Sequence, residues 1–291
     1  MTAVDISDVV KLARRAYRET ISDLTASRGV APWADRVPPE LTEDRITSTD
    51  LAEHLLRTDP ETCFVIEDAG AVRGVVMAAR REGLIITSMI AVAPKSQGRG
   101  YSQELLAPLT GIVDGAARSI GVVRVTETMR FLFPANFDVH PSMRAEGSID
   151  RTKIPFVRKV RSGTLADRER MISVDRRLRG ASRGRDHDLF FANSQLFVAE
   201  DGLNFGYAYC DPNGSPLCLA STATSLAREL LVTALASAEP GSVSLVRNLT
   251  GEQRWAFDVV RLLGLGLHLG SPIVVRGMAL PAPYLAHDAL G

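Results

Sequence analysis

The chain has 291 residues, of which 45% are hydrophobic and 23% charged, and its 34 basic and 34 acidic side chains give a formal net charge of zero. This composition is that of an ordinary globular protein and excludes a disordered or fibrous chain. A neutral chain also lacks the basic face that nucleic-acid binding needs, so we expect no nucleic-acid partner. The length fits two domains of roughly 100–200 residues each.

No stretch approaches the roughly 18 unbroken apolar residues of a membrane span. The first residues lack the basic and apolar segments of a secretory signal, so we expect a soluble, cytoplasmic protein. The three cysteines, Cys63, Cys210 and Cys218, are too few and too scattered for a disulfide framework. Cys210 and Cys218 fall where two strands of a hairpin would bring them together, but nothing near them completes a zinc site. We therefore predict buried thiols and no metal.

Apolar residues recur at helical spacing from Asp5 to about Ala26 and predict the first helix, and a shorter helix follows near residue 50. Closely spaced β-branched runs then predict an antiparallel meander of three strands, at residues 63–67, 74–80 and 84–92. A second long helix is expected to begin at Tyr101 or Ser102. The next strand is expected at residues 122–126.

The second half of the chain repeats this order. The segment Phe197-Val198-Ala199-Glu200-Asp201 is similar in sequence to Phe64-Val65-Ile66-Glu67-Asp68, at an offset of 133 residues. Gly206 corresponds to Gly74. Helices are expected on both sides of this segment, as in the first half. The repeat predicts an internal duplication. We place the two α/β domains at residues 1–160 and 161–291.

The loop between the third strand and the following helix is the most informative segment. It reads Ala93-Pro94-Lys95-Ser96-Gln97-Gly98-Arg99-Gly100. A glycine-containing loop before a helix offers unpaired N–H groups and the positive end of the helix dipole, which favour a phosphate or pyrophosphate. A nucleotide loop of the Gly-Lys-Ser/Thr type is disfavoured because Gly100 is followed by Tyr101. A dinucleotide loop needs three glycines after a first strand, which this loop lacks.

The loop resembles the acyl-CoA pyrophosphate loop of the GNAT acetyltransferase superfamily, whose pattern is Gln/Arg-x-x-Gly-x-Gly/Ala. Lys95 stands at the Gln/Arg position of that pattern. Three further segments are typical of the tandem, two-domain GNAT proteins of actinobacteria: Phe137-Asp138-Val139-His140-Pro141, Gly147-Ser148-Ile149-Asp150-Arg151 and Ala286-His287-Asp288-Ala289-Leu290-Gly291. The whole chain resembles those proteins, in which commonly one domain holds the cofactor. The corresponding segment of the second half, residues 221–230, contains no glycine. By this resemblance the first domain binds the thioester and the second is degenerate.

The resemblance implies an α/β (α+β) fold made of two tandem GNAT folds, each a mixed, mostly antiparallel sheet flanked by helices. It implies acetyl-CoA or another acyl-CoA as co-substrate. The pantetheine arm would pair with the third strand of the meander, at Met89, Ile90, Ala91 and Val92. The pyrophosphate would lie on the N–H groups of Gln97, Gly98, Arg99, Gly100 and Tyr101, within reach of the Ser102 hydroxyl.

The implied reaction is direct attack of an amine on the thioester carbonyl, which needs a base for the ammonium proton and is helped by an acid at the leaving thiolate. Two carboxylates, Glu82 and Glu127, are the candidate bases, and His140 is a third candidate. A water chain would remove the need for any of them. The family's acidic tyrosine is replaced by a phenylalanine, because Leu132-Phe133 falls where Leu-Tyr is expected.

The sequence thus predicts an N-acyltransferase, in the first place an N-acetyltransferase, acting on a small-molecule amine. A second hypothesis keeps the fold but takes the acyl group from an acyl carrier protein, which is acidic and would dock on a basic rim of Arg80, Arg81 and Arg99. A third is a thioester-binding module without catalysis, for which Phe133 would be the sign.

Overall fold

The computed structural model describes residues 1–28, 47–114, 118–123 and 136–291. The first half contains α1 (Ile6–Arg28), α2 (Ser48–Thr58), β1 (Cys63–Asp68), β2 (Ala71–Arg81), β3 (Leu84–Val92), α3 (Tyr101–Asp114), β4 (Arg118–Val122), β5 (Asp138–His140) and β6 (Ser142–Gly147). The second half contains β7 (Val160–Ser162), α4 (Arg168–Arg179), α5 (Asp186–Asn193), β8 (Gln195–Asp201), β9 (Asn204–Cys210), β10 (Pro216–Ser221), α6 (Thr224–Ala236), β11 (Ser244–Thr250), α7 (Arg254–Leu262), β12 (Gly266–Leu269), β13 (Ile273–Arg276) and β14 (Tyr284–Leu285).

The strands form three sheets. A six-stranded sheet has the order β1-β2-β3-β4-β13-β5, a five-stranded sheet has the order β14-β10-β9-β8-β7, and a three-stranded sheet has the order β11-β6-β12. All neighbours are antiparallel except β3 and β4, which run parallel. The predicted class, mixed and mostly antiparallel sheets flanked by helices, is confirmed.

Strands cross between the two halves in both directions. β13, from near the end of the chain, lies between β4 and β5 in the six-stranded sheet. β6, from the first half, lies between β11 and β12 in the three-stranded sheet. Any division near residue 160 therefore separates two units that exchange strands, and the boundary at residues 160 and 161 stays a prediction.

The two halves repeat a helix pair, a three-stranded meander and a helix packed on it. Gly74 in β2 and Gly206 in β9 occupy corresponding positions of this repeat, each beneath the helix that follows the meander. A Cβ on Gly74 would come within 2.8 Å of Leu105 in α3, and a Cβ on Gly206 within 3.0 Å of Leu230 in α6. Each glycine thus allows the helix that follows the meander to pack closely on its sheet.

The core of the six-stranded sheet follows from its sequence. Residues 75–79 of β2 are fully buried, because helices cover one face of the sheet and α3 covers the other. β4 begins four residues earlier than the predicted strand at 122–126, of which residues 124–126 lie outside the described residues. Its buried residues include Ser119 and Gly121, so it lacks the β-branched run on which the prediction relied.

A buried cluster of charges joins the two halves. Arg81, at the end of β2, bonds Asp59 at 2.8 Å and Asp186 of α5 at 2.5 Å, and His54 of α2 contacts Asp186 at 2.8 Å. Burial alone would raise the pKa of Asp186, but hydrogen bonds from His54 and Arg81 outweigh it and hold the pKa well below its usual range. Asp186 is therefore a buried carboxylate whose charge depends on partners from the first half.

A second buried cluster holds the last residues of the chain in place. Arg183 donates to the Tyr207 hydroxyl at 2.9 Å and to the carbonyl of Leu290 at 3.0 Å, and the Tyr207 hydroxyl donates to Asp175 at 2.6 Å. Arg183 also lies 3.5 Å from Asp175, so Arg183 and Asp186 both belong to buried structural ion pairs. Within the described ranges, no group of three or more His, Cys, Asp or Glu side chains is placed to hold a metal ion.

The three cysteines are free and buried, as predicted. Burial raises the pKa of Cys63 and Cys210 to about 12 and that of Cys218 to about 11. Among the helices of the described ranges, none combines the length and the apolar character of a membrane span.

We expect Arg81→Met to lower the free energy of unfolding by about 3–5 kcal/mol, because it leaves two carboxylates buried without their guanidinium. Arg80→Met is the matched control, since Arg80 is the exposed neighbour on the same strand. Urea unfolding followed by circular dichroism measures both. Equal midpoints for the two variants would contradict this role for Arg81.

Candidate functional site

The feature that defines the site is a gap between β3 and β4. The two strands pair in parallel from Leu84 and Arg118 to Thr87 and Gly121, and the pairing stops there. β4 continues to Val122, which pairs on the other edge of the strand with Ile273 of β13. In the described part of the chain, no strand pairs with the outer edge of β3 from Ser88 to Val92.

A β-bulge at Ser88 accounts for this gap. Met77 pairs with Met89 and Ala78 pairs with Thr87, so Ser88 is an extra residue with no partner on β2. A bulge bends its strand and increases the local twist. The bend falls where β3 leaves β4, so β3 turns away from its parallel neighbour at this residue.

The peptide groups on the open edge follow from the register. Ala93 donates to the carbonyl of Arg73 at 2.8 Å, and residues 74 and 92 are opposite each other. Hydrogen-bonded and non-hydrogen-bonded pairs alternate in an antiparallel ladder, so Met89 and Ala91 direct their peptide groups to β2. Ile90 and Val92 direct theirs into the gap. Of the four strand residues predicted to pair with a ligand, these two present backbone groups.

Met89 and Ala91 contribute in another way. Their side chains are 6% exposed and belong to the core beneath the helices. They fix the strand to the sheet, and Ile90 and Val92 face the gap as a result.

The loop from Ala93 to Gly100 carries a run of free N–H groups. Within the described residues, the five backbone N–H groups from Gly98 to Ser102 have no acceptor. Gly100 directly precedes α3, and its carbonyl accepts the first hydrogen bond of the helix type, from Glu104 at 3.1 Å. The run therefore joins the loop to the positive end of the helix dipole, which is a favourable position for an anion.

The two glycines of the loop have backbone angles that favour glycine. Their φ values are +78° at Gly98 and +86° at Gly100. A Cβ on either residue would meet no heavy atom within 4 Å. The space at these two Cβ positions is open, and no side chain on either residue obstructs the approach of an anion to the loop.

One predicted donor is already used. The N–H of Gln97 donates to the carbonyl of Pro94 at 3.2 Å, because a single 3₁₀ turn, Pro94–Ser96, ends at this residue. Gln97 is thus a structural residue of the loop, and the free run begins one residue later than the sequence predicts.

Asp68, at the end of β1, ties the loop to the sheet. It accepts from the Tyr101 hydroxyl at 3.2 Å and lies 3.9 Å from the Arg99 guanidinium, which is exposed. Lys95 is also exposed on this loop. The mouth of the site therefore carries two solvent-accessible cations.

The corresponding position of the second half, all of which the structure describes, is built differently. Only Thr222 and Ala223 separate β10 from α6, and both of their N–H groups have acceptors, the carbonyl of Phe205 at 2.9 Å and the Ser221 hydroxyl at 3.2 Å. The outer edge of β10 is covered by β14, with Leu219 opposite Leu285. At this position the open edge is therefore missing, and the free N–H groups are only the three at the start of α6, residues 224–226.

Glu82 does not have the properties of the predicted base. It lies in the β2–β3 turn, at the opposite end of β3 from the gap, and binds Arg176 at 2.6 Å and the N–H of Ser182 at 3.0 Å. The hydrogen bonds from Arg176 and Ser182 lower the pKa of Glu82 to about 2. An ion-paired carboxylate with such a pKa is a poor proton acceptor, so the prediction for Glu82 is corrected to a structural contact between the halves.

The other predicted catalytic residues differ in position. Glu127 and Phe133 lie outside the described residues. His140 lies in β5, at the edge of the six-stranded sheet, where it pairs with Ile273. Two strands separate β5 from β3, a distance of about 14 Å. His140 is therefore not adjacent to the gap.

The predicted basic rim does not form. Arg81 is buried in its ion pairs, and Arg80 pairs with Ile85 near the far end of β3. Seven residues along β3 separate Ile85 from Val92, or about 23 Å. Of the three arginines, Arg99 alone lies at the mouth of the site.

Sequence reasoning missed Tyr17 of α1. Its hydroxyl donates to the carbonyl of Ile90 at 3.1 Å, inside the gap. The two residues are 73 positions apart and no motif links them. Ser88 had a weak signal, as a polar residue in an apolar strand.

Residues 18–128 match the model of the acetyltransferase (GNAT) family. The chain carries a GNAT acetyltransferase domain. The match includes β1 to β4, the gap and the loop before α3, so the GNAT assignment rests on the segment that forms the site. The family supports an acyl-transfer function.

Solved structures share the fold of the GNAT domain and of the rest of the chain. A proposed acetyltransferase from Pyrococcus horikoshii aligns with a TM-score of 0.71 at 16% identity, covering 99% of this chain and 90% of its own. GCN5-related N-acetyltransferases from Kribbella flavida and Sphaerobacter thermophilus both align with a TM-score of 0.53, at 15% and 12% identity. They cover 95% and 96% of this chain and 70% and 96% of their own. A search of curated proteins gave no match.

We expect Glu82→Gln to change the rate of acyl transfer less than threefold, whereas removal of a general base typically costs about 10²–10⁴-fold. The same variant should be less stable than the wild type by under about 1 kcal/mol at neutral pH, because the pair is exposed.

The pH dependence gives an independent check on Glu82. The folded pKa of Glu82 lies below that of an unfolded glutamate, about 4.3, so the stabilisation is present above that pH and is lost as pH falls towards about 2. Denaturation midpoints of the wild type and Glu82→Gln should therefore converge in acid. A hundredfold loss of rate in Glu82→Gln would restore the base assignment.

Proposed function

We propose that the chain is an N-acyltransferase that takes its acyl group from acyl-CoA, with acetyl-CoA as the first candidate, and that the donor binds in the first half. The observation that carries the proposal is the run of five free N–H groups, residues 98–102, beside the unpaired edge of β3. Acyl-CoA has a part for each feature: its pyrophosphate is an anion for the N–H run, and its pantetheine arm is an extended chain with amides for the edge of β3.

The residues present fit this ligand. The N–H groups of Gly98 to Ser102 and the dipole of α3 would hold the pyrophosphate, and the exposed Lys95 and Arg99 add positive charge. The amides of the pantetheine arm would pair with the peptide groups of Ile90 and Val92, as an added strand pairs with a sheet edge. When bound, acyl-CoA supplies the activated carbonyl.

The gap also orients the reaction. An amine attacks the thioester carbonyl, the carbon–sulfur bond breaks and the ammonium proton leaves. Glu127 is the proposed base, because the chain leaves β4 after Val122, on the side of the gap, and Glu127 follows five residues later. The acceptor is proposed to be a small-molecule amine in the cytoplasm, where acyl-CoA is formed.

The tandem arrangement is part of the proposal. The second half repeats the elements of the first but closes the β10 edge with β14. We propose that it is a degenerate GNAT-like unit with a structural role, joined to the first through Arg81 and Asp186.

The hypothesis of an acyl carrier protein as donor loses its support, because Arg80 and Arg81 do not form a basic rim with Arg99.

Calorimetric titration with acetyl-CoA tests the proposal. We expect one binding site per chain and its loss in Gly98→Glu, because a carboxylate would occupy the anion position and repel the pyrophosphate. Gly202→Glu is the matched control, since Gly202 also has a positive φ, +59°, and a Cβ at that position would likewise meet no heavy atom within 4 Å.

Three results would contradict parts of this account. Equal binding of acetyl-CoA by the wild type and by Gly98→Glu would show that the loop does not bind the donor. Two sites per chain would mean that the second half also binds the donor. Binding of acetyl-CoA without turnover of any amine in a broad screen would favour the non-catalytic module.

A further inference from the structure

Tyr17 lies where a ligand on the β3 edge would pass. Its hydroxyl donates to the carbonyl of Ile90 at 3.1 Å, and the peptide group of Ile90 faces the gap. The ring packs against the core beneath the helices and is partly buried. α1 therefore presents a phenolic hydroxyl to the open edge of β3, beside the peptide group of Ile90.

The position of Tyr17 along the strand indicates which part of the ligand it would meet. The free N–H run fixes the pyrophosphate beyond Val92, and the arm would then pass Val92 before it reaches Ile90. From Ile90 to the bulge at Ser88 there are about 7 Å of strand. In this arrangement the end of the arm that carries the sulfur would lie beside Ile90 and Ser88, next to the Tyr17 hydroxyl.

The sequence lacks the expected proton donor for the departing thiolate. Phe133 stands where the family resemblance predicts a tyrosine, and phenylalanine has no proton to donate. In the described residues, Tyr17 is the only tyrosine whose hydroxyl contacts the gap; the Tyr101 hydroxyl is bound to Asp68 and the others lie in the second half.

We propose that Tyr17 is a catalytic residue of this site, which hydrogen-bonds the sulfur of the acyl-CoA and protonates the departing thiolate. The inference rests on the proposed function. The amine nitrogen forms a bond to the carbonyl carbon, the carbon–sulfur bond breaks with its electron pair on sulfur, and the Tyr17 O–H gives its proton to that sulfur. The phenolate then takes up the proton that the amine has released, so that amide and free CoA are the products.

Binding of free CoA tests this without knowledge of the acceptor amine. A hydrogen bond from Tyr17 stabilises the thiolate over the thiol, because hydrogen bonds to charged groups are the stronger ones. We expect the thiol of bound CoA, followed by its ultraviolet absorbance, to ionise about one pH unit lower in the wild type than in Tyr17→Phe, a tenfold effect.

Two controls separate this role from a structural one. Desulfo-CoA lacks the thiol, so its affinity should be the same in the wild type and in Tyr17→Phe. Tyr209→Phe removes a tyrosine hydroxyl that bonds His187 in the second half and should leave the titration of bound CoA unchanged.

Each other outcome overturns the inference. The same thiol titration in wild type and Tyr17→Phe would show that the hydroxyl does not touch the sulfur. A tenfold loss of desulfo-CoA affinity in Tyr17→Phe would give Tyr17 a role in shaping the edge of β3 instead. If the wild type did not bind CoA, the proposed function itself would be contradicted, and the role proposed for Tyr17 would be contradicted as well.

Discussion

One extra residue in β3 is the constraint on which the rest of the site depends. The bulge at Ser88 bends β3 away from β4 after Thr87, and the register then directs the peptide groups of Ile90 and Val92 into the gap. An unpaired strand edge in a protein interior is costly unless something binds to it. In this chain the edge leads directly to the free N–H run at the start of α3, so one continuous surface of backbone donors and acceptors is available to one extended ligand.

The two halves show how the same arrangement of elements gives a site in one case and a closed structure in the other. β10 is the counterpart of β3, but β14 pairs with its outer edge, and two residues replace the eight-residue loop. The N–H groups of those two residues, Thr222 and Ala223, have acceptors within the chain. The second half instead supplies Asp186 to Arg81, Arg176 to Glu82 and β13 to the first sheet, so it supports the fold that carries the site.

Local pattern predicted the parts of the structure that depend on neighbours in sequence. The meander, the loop after β3 and the start of α3 follow from β-branched runs, two glycines and helical spacing. The strand exchange, the bulge and the pairing of Arg81 with Asp186 depend on residues far apart in the chain, and no local pattern encodes them. Glu82 shows this limit: a carboxylate before β3 was a reasonable candidate base until Arg176, 94 residues away, was placed beside it. Tyr17 is the converse case, a residue without a motif that packing brings to Ile90.

Hydrogen exchange of the backbone amides, with and without acetyl-CoA, tests most directly that the ligand uses the open edge of β3 and the N–H run together. We expect acetyl-CoA to slow exchange at Ile90, Val92 and residues 98–102 in the same titration and to leave residues 219–224 of the second half unchanged. Slowed exchange at residues 219–224, or unchanged exchange at both segments of the first half under saturating ligand, would contradict this expectation.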